Sequence, residues 1–88
     1  MINPQLRLAI TQILLRLDGV PLRNETLKAE VEIAVAQSIT TNEYYDTLNS
    51  MIQDSLIYKL RDEILGEATY CLSTKGREAA ARYARTHH

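Results

Sequence analysis

The sequence predicts a mainly helical α+β domain, in which a three-helix core with a helix-turn-helix is followed by a two-stranded hairpin and a closing helix. Three observations predict it. Apolar residues recur at helical spacing in three successive segments up to Gln53. After Asp54-Ser55 the apolar period falls from about 3.6 to about 2. The stretch "TYCLSTKGREAAAR", Thr69 to Arg82, starts as an alternating strand and turns at once into an Ala- and Arg-rich helix.

The first helix is expected from about Pro4, which suits a first helical position, to Leu17. Leu6, Ala9, Ile10, Ile13, Leu14 and Leu17 make one apolar stripe, with Leu8 and Leu15 on the opposite side. Asp18-Gly19 stops it, glycine being a natural left-handed cap. "VPLR" follows, held by Pro21 to an extended or edge-strand role. Asn24 is a good N-cap for a second helix reaching roughly Gln37, with Leu27, Val31, Ala34 and Val35 inward. Thr40 and Glu43 have capping-box spacing and start a third helix near Thr41. Tyr44, Leu48, Met51 and Ile52 form its inner face, with Tyr45 at the margin. Two helices across a short polar break make a helix-turn-helix candidate.

In the first strand Leu56, Tyr58 and Leu60 alternate with Ile57, Lys59 and Arg61, and the latter pair is expected on the outer side. "DEILGE" is a polar connection with Gly66 available for the turn. The return strand, Ala68 to Ser73, points Tyr70 and Leu72 inward and leaves Cys71 at least partly exposed. Ser73 or Thr74 caps the last helix. Its inner stripe is Gly76, Ala79, Ala80 and Tyr83.

Eighty-eight residues suffice for one domain with a modest core, taken as residues 1–86. His87 and His88 form a tail, native or left from a tag, and are set aside. A net charge of −1 argues against binding polyanions by bulk charge. No apolar run approaches a membrane span, and no secretory signal opens the chain. Cys71, the only cysteine, cannot form an internal disulfide, which suits a reducing cytoplasm.

Two stretches resemble the winged-helix family, as in small bacterial regulators of the MarR and PadR kinds. "MIQDSLIYKL" resembles the passage from the family's recognition helix into its first wing strand. "YCLSTKGREAAA" resembles the exit from the wing, Tyr-x-Leu-(Thr/Ser)-x-x-Gly and then a helix. The element order extends the resemblance over nearly the whole chain. It implies a wing covering the edge of the helical core, with "VPLR" as a third strand beside it. It also implies a non-enzymatic regulator that binds duplex DNA with its third helix, and dimerises through its terminal helices.

The residues give that implication mixed support. The outward face of the third helix carries Glu43, Asp46, Thr47, Asn49, Ser50, Gln53 and Asp54. Asn49 and Gln53 lie one turn apart and suit pairing with adenine. The same face holds three carboxylates and no Lys or Arg. A carboxylate near a phosphate costs on the order of 1 kcal/mol even in water-like surroundings. The alternative is therefore a module that contacts another protein through the acidic third helix, without DNA. In the DNA reading Lys59, Arg61, Lys75 and Arg77 touch the backbone. Acidic residues surround the wing tip, at Asp62, Glu63 and Glu67. The last helix holds Lys75, Arg77, Arg82 and Arg85 against Glu78 alone. It either meets a backbone or is a solvated helix whose charges suit its C-terminal end. Leu8 and Leu15, two turns apart, mark a homodimer patch or are covered by the last helix of the same chain.

No catalytic constellation is expected. No histidine precedes His87, so no Ser-His or Cys-His pair is available. No Cys/His spacing suits zinc, no glycine-rich loop suits a phosphate, and no cofactor is implied. Glu25, Glu30 and Glu32 read as a solvated face of the second helix.

Overall fold

The computed structural model describes residues 4–86, and the question of the His87-His88 tail lies outside them. Helix α1 (Pro4–Arg16) buries Leu6, Ala9, Ile10, Ile13 and Leu14, the expected stripe, while Leu17 stays half-buried. The helix is closed by two residues in left-handed conformation, Asp18 at φ 49° and Gly19 at φ 88°. The extended segment condenses to strand β1 (Leu22–Arg23), and helix α2 follows as Asn24–Val35. α2 ends two residues before Gln37 because Ala36 turns left-handed (φ 57°) and returns its N–H to the carbonyls of Glu32 and Ile33.

Asn24 does not cap α2. It is the first helical residue; the capping position falls to Arg23, which makes no side-chain cap. The Asn24 side-chain amide instead donates to the Tyr45 hydroxyl at 2.7 Å, and the Asn24 backbone carbonyl accepts from the Tyr44 hydroxyl at 3.3 Å. Two tyrosines on the next helix thus outcompete local capping. Helix α3 (Thr41–Gln53) is capped as expected, the Thr40 hydroxyl accepting from the Glu43 N–H at 3.1 Å.

Strands β2 (Ile57–Arg61) and β3 (Ala68–Leu72) form the hairpin, and β1 joins its far edge, giving an antiparallel sheet in the order β1-β3-β2. Leu22 lies opposite Tyr70 and Ile57 opposite Leu72. Helix α4 (Thr74–Thr86) closes the chain. This is a winged-helix fold. Its core joins the α1 stripe to Leu27 and Val31 of α2, Tyr44, Leu48 and Met51 of α3, and Ile57, Tyr70 and Leu72 of the sheet. Each large side chain fully buried there contributes about 1.5–3 kcal/mol.

Several expectations about which residues face inward are corrected: Ala34 of α2 and Tyr83 of α4, both expected inward, are exposed. Ile57 is buried, whereas Tyr58 and Leu60 are exposed. Cross-strand partners share a face, so Lys59 and Arg61 lie on the same side as Tyr70 and Ala68, not on the outer one. They reach solvent on the edge strand β2, while Tyr70, opposite Lys59 on the middle strand, stays in the core. Cys71 is only 9 % exposed: it sits on the middle strand, with Tyr58 directly opposite. Thr47 faces inward and is fully buried, its hydroxyl donating to the Glu43 carbonyl at 2.8 Å. A threonine that returns its hydroxyl to the preceding turn leaves only a methyl group to pack, and so behaves as an apolar residue.

Candidate nucleic-acid interface

The face of α3 that points away from the core is fixed by what holds the helix from behind. Tyr44, Thr47, Leu48 and Met51 are buried, so Asp46, Asn49 and Gln53 are turned to solvent. The Asn24 clamp ties the N-terminal half of α3 to the start of α2. The rings of Tyr44 and Tyr45 meet edge to face with centroids 5.3 Å apart. Asn49 and Gln53 are therefore presented by a helix anchored along its length, as a base-reading helix requires.

The C-terminal half of α3 is held by α1. Arg7 donates to the Ser50 hydroxyl from Nη2 at 2.8 Å and from Nε at 3.2 Å, and pairs with Asp54 at 2.5 Å. Ser50 in turn donates to the Thr47 carbonyl at 3.2 Å. Ser50 is thus half-buried toward α1 rather than grouped with Asn49 and Gln53. The guanidinium hydrogen bond, aided by the nearby Lys75 charge, holds the Asp54 carboxyl below its usual range. One of the three carboxylates of this face is therefore neutralised by α1. No spacing rule reveals this, because 47 residues separate the pair. Glu43 is half-buried at the first turn of the helix and Asp46 is exposed.

The flanking cations divide into two sets. Lys59 and Arg61 stand exposed along β2. Lys75 opens α4 near Asp54, while Arg77 pairs with Asp18 at 3.2 Å and lies over Gly19. At the wing tip the Asp62 carboxylate accepts from the N–H groups of Ile64 (2.8 Å) and Leu65 (3.1 Å), which hold its carboxyl below the usual range. Glu67 pairs with Arg23 at 3.5 Å. The tip itself is apolar: Ile64 is 91 % and Leu65 61 % exposed. Both break the polar character that the sequence predicts for this connection.

On the far side, α1 and α4 leave an apolar groove of ≈ 470 Å³ between them. Leu8, Leu15, Leu56, Ala79, Ala80 and Tyr83 line it, with Arg7 at the margin. Helix α4 covers its neighbour only partly, because its contact residues are small: Gly76 alone is buried, and Leu15 stays 44 % exposed. Among the described residues, no three Cys, His, Asp or Glu side chains group as metal ligands, and no helix is long and apolar enough to cross a membrane.

No protein-family model matches the chain, and no curated protein matches it in sequence. Among solved structures, it is similar to RosR of H. salinarum with a TM-score of 0.77 and 16 % identity, over 96 % of this chain and 72 % of that one. It is also similar to a MarR-family transcriptional regulator from Silicibacter pomeroyi, with a TM-score of 0.70 and 18 % identity over 92 % of this chain. That chain is matched over 49 % of its length. At these identities the likeness is one of fold, and the fold is the winged helix.

Proposed function

We propose that the chain is a non-enzymatic, cytoplasmic regulator module that binds duplex DNA through α3. The observation that carries this is the pair Asn49 and Gln53, one turn apart and open to solvent on the second helix of a helix-turn-helix braced from both sides. Both are amides able to bond adenine bidentately. The regulator character of the structurally similar proteins supports the same reading. Lys59, Arg61 and Lys75 are the backbone contacts, with Arg77 joining them when it leaves Asp18. The exposed Asp46 and the acidic wing make binding depend on direct contacts rather than on attraction to any polyanion.

Self-association belongs to this reading. Leu8 and Leu15 flank an unfilled groove, and a dimer would carry two copies of α3 to paired half-sites.

Selection of bound sequences from a randomised duplex pool tests the proposal. A recovered motif containing adenine is expected. Asn49→Ala and Gln53→Ala should each lose about 1–3 kcal/mol of discrimination at one position of it. Failure to enrich any motif, or alanine variants as selective as the native chain, would overturn the assignment. Retention of a protein partner through Glu43 and Asp46 instead would favour the protein-contact alternative.

A further inference from the structure

The outward face of α3 carries a longer polar stripe than the pair Asn49 and Gln53. At 3.6 residues per turn, Asn42, Asp46, Asn49 and Gln53 fall within about 60° of one another around the helix axis. The buried residues Tyr44, Thr47, Leu48 and Met51 centre on the opposite side of the same helix. All four stripe residues are exposed. Among the described residues, none of their side chains is engaged in a hydrogen bond or ion pair. The other two carboxylates lie to one side of the stripe, about a quarter turn away. Glu43 is half-buried, and Asp54 at the C-cap is held by Arg7. Asp46 is thus the carboxylate that the stripe presents, one turn from Asn42 and one turn from Asn49.

We infer that Asp46 reads cytosine in the major groove, and that Asn42 extends the reading helix by one more adenine contact. This rests on the DNA reading proposed above and names the bases that the face selects. A carboxylate only accepts hydrogen bonds. In the major groove guanine offers two acceptors, and thymine an acceptor and a methyl group. Adenine sets an acceptor beside its donor, whereas cytosine offers an amino donor and no acceptor of its own. The amides on either side of Asp46 both donate and accept, and so match the donor-acceptor pair of adenine. The spacing suits one residue per base pair read. At 1.5 Å per residue, successive members of the stripe advance about 4.5–6 Å, or one to two base-pair steps of about 3.4 Å. The register is fixed because α3 is braced by Asn24 at one end and by Arg7 at the other. The charge that repels phosphate then serves selectivity, since it weakens every register in which Asp46 meets guanine or thymine.

Selection from a randomised duplex pool with the native chain, an Asp46→Asn variant and an Asn42→Ala variant tests it, with circular dichroism to confirm folding. Both substituted positions are exposed, so the fold should survive. The native chain should enrich a cytosine with adenines one or two steps away on both sides. Asp46→Asn should exchange that cytosine for adenine and leave the other positions as they were. In anisotropy competition between two duplexes that differ at this one position, the preference should reverse, each chain favouring its own base at least about fivefold. Asn42→Ala should relax an adenine on one side of the cytosine, and Asn49→Ala an adenine on the other. A native chain that enriches no motif would overturn this inference and the DNA reading together. Retention of a protein partner that Asp46→Asn releases would then assign the face to protein contact. A native motif that lacks cytosine, or one that Asp46→Asn leaves unchanged, would overturn the inference alone, with Asn49 and Gln53 still reading bases.

Discussion

Gly76 lies directly against the carbonyl oxygen of Leu56, and a Cβ at this position would fall far inside van der Waals contact with that oxygen and 2.9 Å from Leu72 Cδ1. The same carbonyl accepts the Ser73 N–H at 3.0 Å, so it cannot swing aside without breaking the wing's exit. Overpacking costs about 1–3 kcal/mol, toward the upper end when backbone must yield, and alanine's helix propensity returns about 1 kcal/mol. Gly76→Ala should therefore lose about 2 kcal/mol in urea unfolding. An unchanged or stabilised variant would show that α4 does not pack on the Leu56 backbone.

Ser73 joins the same three segments by its hydroxyl, which donates to the Ser55 carbonyl at 2.5 Å and accepts from the Gly76 N–H at 2.9 Å. It is 3 % exposed and Gly76 is buried, so the Gly76 N–H would lose its bond without gaining water. Ser73→Ala should cost about 1–3 kcal/mol. Ser73→Thr, which keeps the hydroxyl, should cost less, as thermal unfolding of the two variants side by side can show.

Leu72→Ala should cost about 2–5 kcal/mol, because Leu72 is 5 % exposed in the core opposite Ile57. A folded variant of native stability in the same unfolding assay would mean that the strand register is wrong. The inward pointing of Tyr70 and Leu72 was legible in the sequence from their two-residue spacing, but the burial of Cys71 between them was not, because β3 is the middle strand and is covered on both faces. Nor was the phase of β2. Tyr58 and Leu60 are apolar yet exposed, whereas Lys59 follows a buried residue by two positions, so alternation pointed to the wrong face. The edge strand β2 is uncovered after Ile57 while its neighbour β3 is not, and hydrophobicity stops reporting burial along β2. The α3 site was half legible. Its solvent face followed from helical period, but its bracing by Asn24 and Arg7 depends on contacts 20 to 47 residues apart.

Stability should fall on the alkaline side. Burial, with the neighbouring Tyr70 and Tyr45, pushes the Tyr44 phenol well above its ordinary value near 10, and burial also raises Tyr70. Unfolded phenols ionise near pH 10 while the folded ones keep their protons. The contribution is therefore complete below pH about 10 and is lost as pH rises beyond it. On the acid side Asp54 and Asp62 are both held low, so what they contribute is present above pH about 4 and is lost as pH falls through their folded values. Solvent screens both carboxylates, so the acid limb should be the shallower. Denaturant midpoints between pH 7 and 11 should decline only above about 10, and Tyr44→Phe should flatten that decline.

The salt dependence of DNA binding gives the sharpest quantitative expectation. Each phosphate neutralised adds a slope of about −0.9 in log affinity against log salt. Lys59, Arg61 and the cations of α4 are exposed, but Arg77 is already paired with Asp18, and Arg7, which touches α3, is paired with Asp54. The slope should therefore lie around −2 to −4, and binding to mixed sequence should be weak. Glu43→Gln with Asp46→Asn removes two carboxylates from the helix proposed to enter the groove. The double variant should bind mixed-sequence duplex more tightly at low salt, because repulsion of order 1 kcal/mol per carboxylate is relieved. Fluorescence anisotropy titrations of both chains at several salt concentrations measure affinity and slope together. Equal affinity in the two chains would mean that α3 does not enter the groove. A steep slope would mean that the duplex lies instead along the basic surface of α1 and α4, where six of the ten cations are found.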